Sequence, residues 1–131
     1  MPRFAKVLPD RAGDRALDYR IPPGLEAGIA PGARVRIPLR AKLILGTVVD
    51  VMEESEVRSP KDIHEVIGAS PLIRPALLEI ARWISEYYCC PLETATACVL
   101  PQVIRQAEVS ARRLNFVRIA REPTAEEREA L

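Results

Sequence analysis

The chain has 131 residues, 19 basic and 18 acidic, for a formal net charge of +1. That length holds one domain of ordinary size plus a remnant of something further, and it is too short for a typical two-domain enzyme. No run approaches the ~20 apolar residues of a membrane span, and the segment Met1 to Leu8 lacks the apolar core of a signal peptide, so a cytoplasmic protein with no membrane partner is expected.

Phe4-Ala5-Lys6-Val7-Leu8 alternates apolar and polar side chains and is predicted to be a first strand, closed off by Pro9. Asp10 to Arg15 is a polar loop. In Ala16-Leu17-Asp18-Tyr19-Arg20-Ile21-Pro22 a second strand is predicted, with Leu17, Tyr19 and Ile21 on one face and Asp18 with Arg20 on the other. Pro22-Pro23-Gly24 and Ala30-Pro31-Gly32 are turns that deliver the chain into a central hairpin. Its first half, Arg34-Val35-Arg36-Ile37-Pro38, alternates basic and β-branched residues. Its second half, Leu43 to Val51, is almost continuously apolar, as expected of a strand covered on both sides. Gly46 inside that strand costs stability unless another backbone or a ligand comes close or the strand bends sharply. The basic side chains Arg34, Arg36, Arg40 and Lys42 are expected along the outer edge of this wall.

After Val51 the acidic stretch Met52 to Pro60 has no apolar face, and Lys61 to Ile67, in which Ile63, Glu65 and Ile67 alternate with His64 and Val66, is predicted to be a last strand. Short strands bounded by Pro and Gly predict a small, mainly β, open or closed Greek-key-like barrel. The period then changes to helical. Pro75 suits a first helical turn, and Leu77, Ile80, Ala81, Ile84, Tyr87 and Tyr88 form one apolar stripe. Pro91 ends this helix, and Leu92 to Val99 is a second one stopped by Pro101. Both are expected to close a side or end of the barrel. Beyond Gln106 a lone strand over Leu114 to Ile119 precedes Thr124-Ala125-Glu126-Glu127, which has the spacing of a capping box. The expected domains are therefore 1–105, the barrel with its helices, and 106–131, a linker and the truncated start of a following domain.

Residues 1–51 carry nine basic against five acidic side chains, so the basic surplus lies on the strand-rich part, where a phosphate backbone would be met. Sixteen of the nineteen basic residues are Arg, which supplies forked phosphate donors and equally reflects a GC-rich genome. Three cysteines, two of them adjacent, make no disulfide framework and no four-ligand zinc site; they are expected as small buried side chains. No phosphate loop, dinucleotide fingerprint or nucleophile elbow occurs, and His64 is the single histidine, so no metal and no catalytic residue is assigned. Asp18 has two readings: a surface ion pair with Arg20, or an acceptor for a ligand hydroxyl beside a basic groove, with Lys61 as a nearby cation.

Leu17-Asp18-Tyr19-Arg20-Ile21-Pro22, Pro31-Gly32-Ala33-Arg34-Val35-Arg36-Ile37-Pro38, Gly46-Thr47-Val48-Val49 and Ala81-Arg82-Trp83-Ile84-Ser85-Glu86-Tyr87-Tyr88, followed by Pro91-Leu92 and Leu100-Pro101, stand in an ordered set. Over residues 3 to 105 this set resembles the amino-terminal domain of the primosomal replication-restart helicase family PriA, or primosomal protein N′. The resemblance implies a non-catalytic barrel that binds the 3′-hydroxyl end of the nascent leading strand at a stalled fork. It implies Asp18 as acceptor of the 3′ hydroxyl, Leu17 as wall against the base or sugar, and Lys61 as basic contact. Arg40 stands where the family has a glycine, and Leu17 where it has an aromatic residue. Arg20, Arg34, Arg36 and Lys42 are the candidates for the DNA backbone. By the same resemblance the native chain continues into a winged-helix domain and ATPase lobes, and any ATP or zinc belongs to those parts rather than to this fragment. Forked or 3′-ended DNA and other primosome proteins are the implied partners. A protein-interaction β-barrel docking through its arginines and the Trp83 helix, and an RNA-binding appendage of a transferase, stay open beside this reading.

Overall fold

In the computed structural model, which describes residues 3–10, 15–68, 71–101, 122 and 124–129, five antiparallel strands form one sheet. They are β1 (Phe4–Pro9), β2 (Leu17–Arg20), β3 (Arg34–Leu39), β4 (Lys42–Met52) and β5 (Glu65–Ile67), in the spatial order β2-β1-β4-β3-β5. Period-two alternation explains the inner face. Ala5 and Val7 of β1, Tyr19 of β2, Val35 and Ile37 of β3 and Val48 of β4 join Ile21, Ile29 and Ile63 in one buried cluster. Each buried Val or Ile contributes roughly 1.5–3 kcal/mol of transfer free energy. This cluster therefore holds the curvature of the sheet.

The edge strand β2 meets the segment that leads into β5 at a seam. Arg20 forms a parallel bridge with Asp62, made of Arg20 N–H to the Lys61 carbonyl at 2.8 Å and Ile63 N–H to the Arg20 carbonyl at 3.0 Å. His64 N–H then bonds the Arg36 carbonyl at 2.9 Å, and β5 pairs with β3. The result is an open barrel in which this one bridge joins β2 to the segment before β5.

β4 is buried on both faces at its centre, over Gly46 to Val49. Its pairing with β1 shifts register between Lys6 and Val7, a bulge that bends the wall. A Cβ on Gly46 would lie 2.6 Å from Val7 Cγ1 and 3.0 Å from the Leu8 carbonyl oxygen, so this glycine marks a close approach of β1.

α1 (Pro75–Tyr87) and α2 (Leu92–Val99) pack against each other beside the barrel over a second cluster of Ile73, Leu78 and Leu100. The attachment point is Gly32, whose φ of +96° and position admit no side chain: a Cβ there would fall 2.0 Å from the Ile73 carbonyl oxygen. Gly32 N–H donates to Val48 O at 2.8 Å, and Ile73 N–H donates to Gly32 O at 3.1 Å.

The predicted single stripe on α1 is corrected. Leu78 and Ala81 are the buried positions, whereas Ile80, Trp83, Tyr87 and Tyr88 are exposed. The cysteines differ too: Cys89 and Cys98 are exposed and Cys90 is half-buried. The capping box forms reciprocally at the start of α3 (Ala125–Glu129), Thr124 N–H donating to Glu127 Oε2 and Glu127 N–H to Thr124 Oγ1. The strand expected over Leu114 to Ile119 lies outside the described residues. Among the described residues no helix is long and apolar enough to cross a membrane.

Candidate nucleic-acid interface

β2 is an edge strand, and alternation decides what its side chains meet. Leu17 is half-buried against the core cluster and Tyr19 is buried in it. The Tyr19 hydroxyl donates to the Pro38 carbonyl at 3.0 Å, tying β2 to the turn end of the β3–β4 hairpin. Burial pushes the Tyr19 hydroxyl above its ordinary pKa, because the phenolate would lose its hydration.

Asp18 lies on the opposite, outer face. There its cross-strand neighbour on β1 is Lys6, whose Nζ is 3.6 Å from Asp18 Oδ1. Ser55, in the acidic stretch after β4, donates its hydroxyl to Asp18 Oδ2 at 2.6 Å. Between them these groups leave only 7% of the Asp18 side chain exposed. The expected ion pair with Arg20 does not form: Arg20 Nη1 faces Asp62 Oδ1 at 3.4 Å instead. Lys61 is exposed, and its carbonyl is fastened to the Arg20 amide two residues along from Asp18. The seam thus brings Asp18, Ser55 and Lys61 to one edge of the barrel.

The basic candidates separate into three kinds. Arg34 is not on the outer edge, which corrects the sequence expectation; it is 0% exposed. Its Nη1 and Nη2 donate to Asp10 Oδ1 and Oδ2 at 2.9 and 2.6 Å, and Nη1 also donates to Thr47 Oγ1 at 2.8 Å. A forked donor so occupied and so covered has no surface from which to meet a phosphate. Arg20 and Arg36 are on the surface but paired, Arg20 with Asp62 and Arg36 Nε with Glu65 Oε1 at 2.5 Å. Arg40, Lys42 and Lys61 are exposed, and among the described residues none of them has a carboxylate within ion-pair reach. Arg40 and Lys42 occupy the hairpin tip, where Arg40 and Ala41 both adopt positive φ, 47° and 63°.

Sequence reasoning missed two members of this edge, Lys6 and Ser55. Lys6 was legible only as the outward residue between Ala5 and Val7; its pairing needs the register of β1 on β2. Ser55 carries no local signal, since it reaches Asp18 from 37 residues away. A groove between β4 and α1, lined by Val49, Asp50, Leu78, Glu79 and Arg82, is not bordered by Asp18. Arg82 Nη2 bridges it by donating to the Val49 carbonyl at 2.7 Å.

Comparison with known proteins gives the family. Residues 6–101 match the model of the PriA 3′DNA-binding domain (3′BD). The chain is similar to the replication restart protein PriA of Rickettsia conorii, 33% identical over 110 residues that cover 84% of this chain and 17% of that protein. Similarity to PriA of Bacillus subtilis is 30% over 107 residues, covering 78% and 13%, and to PriA of Chlamydia trachomatis 30% over 109 residues, covering 79% and 14%. The chain therefore spans less than a fifth of the length of these relatives. Since the family match runs from within β1 through α2, taking in the seam and the hairpin tip, the chain belongs to the PriA 3′DNA-binding domain family.

Proposed function

We propose that this domain is a non-catalytic binder of the 3′-hydroxyl end of a DNA strand. In this reading it presents the end of the nascent leading strand at a stalled fork to a replication-restart helicase of which it is a part. Asp18 accepts the hydrogen of the terminal hydroxyl, Lys61 and the Arg40–Lys42 tip meet phosphates, and Leu17 offers an apolar wall at the end of β2. The observation that carries the reading is the Asp18 carboxylate: a nearly buried acceptor, already engaged by a hydroxyl, at an edge where Lys61 is exposed and, among the described residues, has no carboxylate in ion-pair reach. A site of this kind discriminates by what is lost when the hydroxyl is missing, because a 3′ phosphate puts negative charge against a carboxylate. It reads the sugar end and tolerates any base.

Asp18→Ala tests it. Fluorescence anisotropy with labelled single strands should show wild-type protein preferring a 3′-hydroxyl over a 3′-phosphate end. The variant should lose about 10- to 100-fold in affinity for the hydroxyl end, the worth of one charged hydrogen bond, and with it the preference. If Asp18→Ala binds a 3′-hydroxyl strand as well as wild type does, the assignment is wrong.

The protein-interaction reading has one observation in its favour, the exposed aromatic face of α1. Trp83 and Tyr87 stack there at 5.0 Å, and Tyr88 sits edge-on to Tyr87. Failure of every strand to bind would leave that reading standing.

A further inference from the structure

The stretch Glu53 to Pro60 brings Ser55 onto the carboxylate to which the terminal hydroxyl is assigned above. Ser55 Oγ donates to Asp18 Oδ2 at 2.6 Å and accepts from Val57 N–H at 3.1 Å. It thereby offers Asp18 the same chemistry as a sugar hydroxyl: a donated hydrogen on an oxygen whose lone pairs are partly engaged elsewhere. The bond is short and charge-assisted, among the stronger hydrogen bonds a protein makes. With Ser55 on one oxygen and Lys6 3.6 Å from the other, 7% of the Asp18 side chain is left exposed, so a strand reaches this carboxylate most directly by taking the place of Ser55.

We propose that Ser55 is a stand-in for the terminal hydroxyl: it satisfies Asp18 in the free domain and is exchanged for the strand's own hydroxyl as the 3′ end enters. The proposal rests on the assignment of Asp18 and adds a specificity-determining residue to it. The exchange trades one hydroxyl for another on a single acceptor, so Asp18 is never left buried without a donor, and only a ligand that brings a hydroxyl can replace what it displaces. A 3′ phosphate cannot make the trade. Ser55 therefore sharpens the choice of end while lowering the affinity for it.

The test uses the whole chain with single strands ending in 3′ hydroxyl or 3′ phosphate. Ser55→Ala should tighten binding of the hydroxyl end by roughly ten-fold, because the competitor is gone and Asp18 Oδ2 has lost its donor while Lys6 stays by Oδ1. Ser55→Thr keeps the hydroxyl and should return to wild-type affinity. The Val57 amide resonance should shift when the hydroxyl strand is added to wild type and hold still with the phosphate strand. Loss of binding in Asp18→Ala, together with unchanged or weaker binding in Ser55→Ala, would overturn the stand-in and leave the assignment of Asp18 intact. Wild-type binding in Asp18→Ala would overturn both.

Discussion

Arg34 and Arg36 are two positions apart on one strand and on one face, yet one is sealed inside the protein and the other lies on its surface. The alternation Arg34-Val35-Arg36-Ile37 tells which side chains point away from the core; it cannot tell what later covers that side. Here the end of β1 folds over, with Asp10 N–H bonding Leu45 O at 2.9 Å, and the Asp10 carboxylate is placed against the guanidinium. Arg34→Ala empties a fully buried site and takes the donors from Thr47 and from Asp10, whose side chain is 31% exposed and can rehydrate, so it should destabilise the domain by about 2–3 kcal/mol, read as a lower urea midpoint. Arg34→Lys should recover only part of this, because a single ammonium cannot serve both carboxylate oxygens and Thr47 together. At the same scale Asp18 was legible as the acid among bulky neighbours, while its partners were not. They come from β1 and from the stretch after β4, and only the pairing of distant segments reveals them.

Strands and helices were legible as elements because each carries its own period. The hairpin, the turns at Gly24 and Gly32 and the close approach at Gly46 all lie where proline, glycine and alternation put them. The rotation of α1 about its axis was not legible. Leu77, Leu78, Ala81 and Ile84 make one run at helical spacing, and Ile80, Trp83 and Tyr87 make another, so periodicity alone offers two faces of similar quality. Contact with Ile73 and Leu100 selects the first. The hairpin tip carries a cost of its own. A two-residue loop with positive φ at both positions is a type I′ turn, normally built with Asn-Gly, and here it is Arg40-Ala41. Left-handed backbone at a non-glycine residue costs roughly 1–2 kcal/mol. Ala41→Gly should therefore stabilise the domain by about 0.5–1 kcal/mol after the added freedom of the unfolded chain is counted, seen as a rise of a few degrees in Tm.

Across the whole molecule the order of motifs pointed to the family, and the match over residues 6–101 shows it. Charge was less legible, since a basic surplus counted along the chain does not reveal which cations are already spent. Asp62 and Glu65 hold Arg20 and Arg36, Asp10 holds Arg34 and Asp18 holds Lys6, so of the cations placed on the hairpin and the seam it is Arg40, Lys42 and Lys61 that, among the described residues, are exposed with no carboxylate in ion-pair reach. Three phosphate contacts on a single strand correspond to a slope of about −2 in log K against log salt. A titration of 3′-hydroxyl strand binding between low and physiological salt measures it. A slope shallower than −1 would mean that these cations stand away from the DNA.

The acidic stretch over β2 is pinned at both ends: Met52 O accepts from Arg3 N–H at 3.0 Å, and Lys61 is stitched to Arg20. In the proposed exchange, a displacement of Ser55 between these two fixed ends would uncover Asp18 and leave Lys61 at its address, so the carboxylate would change company while the cation stayed.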